Sequence, residues 1–471
     1  MKKILALMLA LVMVFGMVAC AAEETKTPET NEPATSETND PATETETPDA
    51  PAAEGQSLAV CLASEPDTLD PALNSAVDGA TMAIHLFSGL AKWAQNEDGT
   101  LTIEADCATE LPEGVMNADG TVTYTYTLKD GLKWSNGEPL TAGDFEFSWK
   151  RAASTALAAD YGYMFEVVAG YPDDLAVKAL DDKTLEVTLA NSVAYWNELL
   201  AFPTYMPVYE AAVADEAWAT DPATYVNNGA YLMADWSHNS VITLKKNPNF
   251  HNADAVTMDT IEFYLSDDNN NMLTNFKNGD WQMIDDIPTN EIAALKAEYP
   301  DELRIDGQIG TYYVCWNVNE EILPAELGLS GVEAEEARQE IRQAIGLLFD
   351  RNYIVEAIAQ GGQLPASSFV AMGMTNPDGT QFYQTTGFST EFDGYYNVAA
   401  DAYTDNFNSA IETLKKYYTY DEATGMFTNF PTMDYLYNTN EAHKAIGEYL
   451  QAALAGVGIN MQLVNQEWAP S

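Results

Sequence analysis

Residues 121–152, TVTYTYTLKDGLKWSNGEPLTAGDFEFSWKRA, leave the backbone few choices. Val122, Tyr124, Tyr126 and Leu128 alternate with Thr121, Thr123, Thr125 and Thr127, which is the period of a strand with one buried face. Asp130-Gly131 and Asn136-Gly137 follow as tight-turn dipeptides, because glycine takes positive φ at no steric cost. Thr141 suits the N-cap of a helix, and Asp144, three residues on, completes a capping-box arrangement. That helix carries Phe145, Phe147, Trp149 and Arg151. The spacing predicts strand, turn, strand, turn and helix: a hairpin followed by a helix in a small α/β unit.

A chain of 471 residues can hold two or three domains with substantial cores. Its 72 acidic residues against 21 basic ones give a formal net charge of −51. Nucleic acid is excluded as a partner, since phosphate binding needs clustered Lys and Arg, and adsorption to anionic lipid is disfavoured in the same way. The acidity reads first as a solubility device, with attraction of cationic ligands as a second reading.

Lys2, Lys3 and the apolar run 4–18 form a targeting segment. Met17-Val18-Ala19-Cys20 resembles a bacterial lipobox, with Met17 in place of the usual Leu. In that reading Cys20 is lipidated, and two acyl chains anchor the protein stably; the alternative is ordinary cleavage near Ala19 or Ala22. No other apolar run is long enough to span a membrane. Residues 21–56, rich in Thr, Glu, Pro and Ala, cannot bury a core and read as an extended tether. Cys61, Cys107 and Cys315 form no CxxC spacing, so neither a disulfide framework nor a zinc site is expected, and all three are expected as buried free thiols.

As a string, residues 124–152 closely resemble the signature of the oligopeptide-binding family, the extracellular solute-binding proteins (family 5) that serve peptide-importing ABC transporters. Glu65-Pro66-Asp67-Thr68-Leu69-Asp70-Pro71 is similar to that family's opening loop, Gly229-Ala230-Tyr231 with Trp236 to its next strand, and Met283-Ile284-Asp285 to an element beside its cleft. The run 311–317, TYYVCWN, resembles a strand that crosses between lobes and lines the pocket. Arg342 to Arg351, at the end of an amphipathic helix 333–348 carrying Ile341, Ile345 and Leu348, matches a further family string. Residues 433–437, the helix 441–455 and residues 459–464 read as a βαβ unit, and Asn465-Gln466-Glu467-Trp468 resembles the string that follows it.

The resemblance implies an α/β fold of the periplasmic-binding-protein-like type II, with two lobes, mixed sheets and an extra small subdomain. The expected segments are a signal peptide 1–20, a linker 21–56, lobe I in two parts (57–91 and 208–310), an inserted subdomain 92–207 and lobe II from 311 to 471. Relatives continue beyond the position of Ser471, so lobe II is expected to be incomplete at its C-terminus, without the Asp that pairs with a peptide's α-amino group. Ligand-binding candidates follow residue by residue. Ser75 stands where relatives place an acid near the peptide's N-terminus. Tyr161 lies ten residues after Arg151, where an aromatic faces the peptide, and packing on its own subdomain is the equal alternative. Tyr312, Trp316 and Asn317 come from the crossing strand, with hinge packing as their alternative.

No HExxH, GxSxG, P-loop or dinucleotide fingerprint occurs. His85, His238, His251 and His443 are widely spaced, and the stretch 267–271 lacks the Gly and terminal acid of a calcium loop. The expectation is therefore a non-enzymatic monomer without cofactor or metal. Its expected partners are a short peptide and permease subunits, with membrane contact through the lipid anchor only. The rival readings are a same-fold binder of a nickel chelate, sugar or opine, and a secreted hydrolase.

Overall fold

The computed structural model describes residues 55–96, 99–215, 217–376, 378–385 and 394–466. The expected signal peptide, Cys20, the linker up to residue 54, and Glu467 and Trp468 lie outside the described residues. In chain order, β1 (Ser57–Cys61) and α1 (Val77–Leu86) lead to a hairpin of β2 (Ala91–Gln95) and β3 (Leu101–Ala105). Then come β4 (Val115–Met116), β5 (Val122–Thr127), α2 (Ala142–Ala153), β6 (Val177–Ala179) and β7 (Thr184–Leu189). β8 (Tyr231–Ser237), β9 (Val241–Lys246), β10 (Thr260–Tyr264), α3 (Asn269–Asn278) and β11 (Met283–Ile284) follow. The last part holds α4 (Gly331–Leu347), α5 (Tyr403–Leu414), β12 (Tyr420–Asp421), β13 (Met426–Phe427), β14 (Met433–Asn438), α6 (Glu441–Ala455) and β15 (Met461–Gln466).

β1 lies inside a mixed sheet of order β11-β1-β10-β9-β8, parallel to β10 and β11, while β8, β9 and β10 are antiparallel. Val60, Ile242, Leu244, Ile261 and Phe263 bury one face of it against Met82 and Leu86 of α1, forming a first core. Gly229 marks the closest approach: a Cβ there would sit 2.3 Å from the Leu86 carbonyl carbon, so only glycine fits. α3 ends at Gly279, which takes φ 81°.

The second core belongs to the sheet β4-β5-β7-β6 and α2. Thr141 and Asp144 start α2 as their spacing predicts: the Asp144 carboxylate accepts from the Thr141 N–H at 2.7 Å and from its hydroxyl at 2.9 Å. Phe145, Trp149, Phe165, Trp196 and Tyr205 are fully buried, with Trp149 Nε1 donating to the Tyr205 carbonyl at 2.7 Å. The local hairpin is corrected. β5 pairs with β7 and β4, whereas residues 132–139 make a single bridge, Lys133 to Pro139, around the Asn136-Gly137 turn. The reason is burial, because Trp134 turns inward as a plug of the second core and does not extend a strand.

One buried ion pair and one buried His–Asp contact join the first and second cores. Arg151 of α2 grips Asp70 with both guanidinium nitrogens, at 2.6 and 3.2 Å, and the Asp70 side chain is 1% exposed. His251 Nε2 meets Asp106 at 3.0 Å, with both side chains nearly buried. The His251 partner holds the Asp106 carboxyl below its usual range against the opposing cost of burial.

A third core gathers Ile341, Ile345 and Leu348 of α4 and the residue beyond it, Ala410 and Leu414 of α5, and Leu450 and Leu454 of α6. β14 and β15 pair in parallel with α6 as their crossover, the expected βαβ unit, and the second strand runs two residues later than its composition suggests. Residues 311–317 are not a strand. They have strand composition but no neighbouring strand to ladder with, and pairing rather than composition makes a strand. Cys315 is accordingly exposed, against expectation, while Cys61 and Cys107 are buried free thiols. Among the described residues no helix is long and apolar enough to cross a membrane.

Breaking a buried pair leaves an uncompensated charge. Arg151→Ala should therefore lower unfolding free energy by about 3 kcal/mol. Lys150→Ala, which removes a partly exposed pair with Glu146 on the same helix, should change it by less than about 1 kcal/mol. Urea denaturation followed by tryptophan fluorescence checks both, and equal effects would contradict the assignment.

Candidate functional site

The opening loop after β1 is held from within. Asp70 accepts the Ala72 N–H at 2.9 Å, and the Tyr225 hydroxyl donates to the Leu69 carbonyl at 2.8 Å. So fixed, the loop delivers Asp78 to the first turn of α1, where its carboxylate accepts from Ser64 Oγ at 2.8 Å and from the Gly79 N–H at 2.6 Å. Burial, with the charge of Asp67 adding to it, pushes the Asp78 carboxyl above its usual range.

The end of β11 brings two more carboxylates. Asp286 accepts from Asn269 Nδ2 at 3.0 Å, which ties it to the start of α3. Asp285 is pushed up to about 6 by burial and by the charges of Asp286 and Asp78. Its side chain keeps solvent contact, so the strain this places on the fold is screened. No ion pair among the described residues involves Asp67, Asp78, Asp285 or Asp286.

Across from these acids stands the beginning of α6. His443 Nδ1 pairs with Asn438 Oδ1 at 2.6 Å, and burial lowers the basicity of the ring against the opposing charge of Asp286. Tyr312 stacks on His443 with centroids 4.9 Å apart, and its hydroxyl hydrogen-bonds Tyr435 of β14. The first and third cores therefore meet at a seam of carboxylates on one side and aromatic rings on the other. Among the described residues no group of three His, Cys, Asp or Glu side chains is placed to hold a metal. The seam is suited to a ligand with a cationic group and flat or apolar surfaces.

Of the residues singled out from sequence, Tyr312 lies in this seam. Ser75 is exposed in the opening loop, with Asp78 as the acid three residues on. Tyr161 meets Phe202 edge-to-face at 5.2 Å and Tyr163 at 6.2 Å, contacts within its own α/β layer. Trp316 packs against the third core. Asn317 shapes a turn by accepting the Asn319 N–H at 3.1 Å. Asp286 and His443 escaped the sequence reading. His443 lies in the first turn of α6 and Asp286 just past the end of β11, places where a polar residue is ordinary, so only their convergence singles them out.

The main chain around Tyr312 has its own character. Residues 305–316 make no hydrogen bond to another main-chain group among the described residues, and Tyr312, Tyr313 and Val314 are all exposed.

Residues 102–471 match the model of the bacterial extracellular solute-binding proteins, family 5 (middle region). The chain is 31% identical over 432 residues to the oligopeptide-binding protein OppA of Bacillus subtilis, covering 88% of this chain and 71% of that one. The murein tripeptide binding protein MppA of Escherichia coli superposes with a TM-score of 0.72 at 25% identity, covering 88% of this chain and 76% of the other. OppA of Haemophilus influenzae, in complex with the peptide RPPGFSPFR, superposes with a TM-score of 0.69 at 25% identity and the same coverage.

Trp316→Ala should cost about 2–4 kcal/mol of stability, since it removes a large side chain packed on the third core. Tyr312→Ala, at an exposed position, should cost less than about 1 kcal/mol. Thermal and urea unfolding of the two variants separate a packing residue from one free to meet a ligand.

Proposed function

The chain belongs to the bacterial extracellular solute-binding proteins of family 5, and from that premise we propose that it captures short peptides outside the cell membrane and delivers them to the permease of an ABC importer. The family consists of transport binding proteins rather than enzymes, so the hydrolase reading falls. The fold is the type II periplasmic-binding-protein architecture, α/β with mixed sheets.

The observation that carries the peptide reading is the unladdered main chain of residues 305–316, from which the Tyr312 hydroxyl reaches Tyr435 of β14. Free N–H and C=O groups in a row are what an added peptide strand needs, and main-chain pairing gives affinity without demanding one sequence. The carboxylate seam supports the same reading, because a peptide's α-amino group is a cation at neutral pH. Capture proceeds by hinge closure. Contacts between ligand and protein differ between the open and closed states, and only that difference can drive the motion. Cys20 serves as the lipid anchor, residues 21–56 as the tether, and ATP is hydrolysed by a separate subunit. The protein acts as a monomer without a cofactor of its own.

Native mass spectrometry of the soluble chain, residues 21–471, tests the reading. The expected result is a ladder of bound masses that fragment as short peptides. A single non-peptide mass would move the assignment to a chelate, sugar or opine ligand, and a folded chain that binds no added peptide would overturn it.

A further inference from the structure

Resting on the peptide reading above, we propose that an apolar shelf beside residues 311–316 selects the ligand, and that it favours peptides combining apolar side chains with positive charge. The shelf is built from two touching stretches of chain. Tyr313 meets Phe369 edge-to-face with centroids 4.8 Å apart. Four residues earlier, Ile309 lies against Gly373, where a Cβ would come within 3.4 Å of Ile309 Cγ1. Met372 and Met374 flank that glycine, which takes φ 97°. Ile309, Tyr313, Phe369, Met372 and Met374 are between 46% and 68% exposed, so five large apolar side chains are exposed on two segments that touch at Tyr313–Phe369 and Ile309–Gly373. A single exposed apolar residue needs no explanation, but five on two touching segments do.

Charge complementarity identifies what covers the shelf. Asp306 precedes it by three residues and Asp378 follows it by four, and Asp301, Glu302 and Glu320 flank the same stretch. None of these five acids belongs to an ion pair among the described residues, and Arg304 is the one basic residue between positions 301 and 337. From the other side, Tyr312 stacks on His443 within the field of Asp286. An apolar surface with acids close by along the chain repels acidic peptides and attracts a cation while the apolar side chains are buried. The two methionines suit this role, since an unbranched, polarisable side chain adapts to ligand groups of different shape. The shelf therefore gives a class preference rather than a single sequence, in keeping with main-chain capture.

Isothermal titration with three tetrapeptides of one length tests the proposal: Lys-Phe-Leu-Ala, Glu-Phe-Leu-Ala and Lys-Ser-Ser-Ala. Lys-Phe-Leu-Ala should bind about tenfold or more tighter than either of the others, the Phe effect following from apolar burial and the Lys effect weakening with added salt. Phe369→Ser and Met374→Ser, both at exposed positions, should lower affinity for Lys-Phe-Leu-Ala by about fivefold or more and leave that for Lys-Ser-Ser-Ala within about twofold. Circular dichroism confirms that the variants fold. Equal binding of all three peptides, or a variant that weakens all three alike, would overturn the shelf while leaving peptide capture standing. No binding by the folded wild-type chain would overturn the peptide reading itself, and the shelf with it.

Discussion

The grip of Arg151 on Asp70 is the constraint on which the rest of the structure depends. Asp70 belongs to the opening loop and Arg151 to the last turn of α2, so a single pair joins the first core to the second. It is bidentate and almost fully buried on the carboxylate side, the geometry in which a charge pair specifies position. Asp70 also organises its own loop by accepting the Ala72 N–H. The path from that loop into α1 sets where Asp78 emerges, and Asp78 faces the charge of Asp285 at the end of β11. The clamp thus helps set the position of the carboxylate seam. His251 and Asp106 repeat the device elsewhere, so the first two cores are held at two separate points.

The third core is joined differently. The connection to it runs through residues 301–318, which carry neither helix nor strand, and contact is renewed at Tyr312 on His443 and between residues 289–291 and 354–359. Buried polar pairs tie the first two cores together while an unladdered connection leads to the third, and the proposed hinge closure rests on that difference. Hinge closure needs few main-chain hydrogen bonds where the bending occurs. The free groups of the connection also give a peptide backbone something to pair with. One stretch of chain can therefore serve as both hinge and ligand edge.

Much of this was legible in the sequence where the determinant is local. Thr141 with Asp144 marked the start of α2, and the helix read at 441–455 is α6 with those bounds. The alternation in β5 was read correctly, but its partner was not, because β7 lies some sixty residues downstream and nothing local distinguishes it from the nearer run at residues 132–134. Residues 311–317 failed for the related reason that β-branched and aromatic composition reports fitness for a pleated surface, not the presence of a neighbour. The seam as a whole was not legible for a third reason, although the resemblance had put Asp285 beside the cleft. Asp78, Asp285 and His443 come from stretches about two hundred and one hundred and sixty residues apart, and only the fold makes them neighbours. A repeated string passed unnoticed as well. Asn-X-Asp-Gly-Thr occurs at residues 96–100, 117–121 and 376–380, and each time the Asn side chain donates to the Thr hydroxyl, at 2.9, 2.9 and 3.0 Å.

The central claim is that the unladdered main chain of residues 311–316 receives the backbone of a peptide. Hydrogen–deuterium exchange at the amides of residues 311–316, with and without a bound peptide, tests it most directly. The account predicts exchange near the unprotected rate in the free protein and strong protection at alternate amides once peptide is bound, since an added strand pairs with every second residue. Amides already protected in the free protein, or amides that stay unprotected while peptide is bound elsewhere, would contradict it.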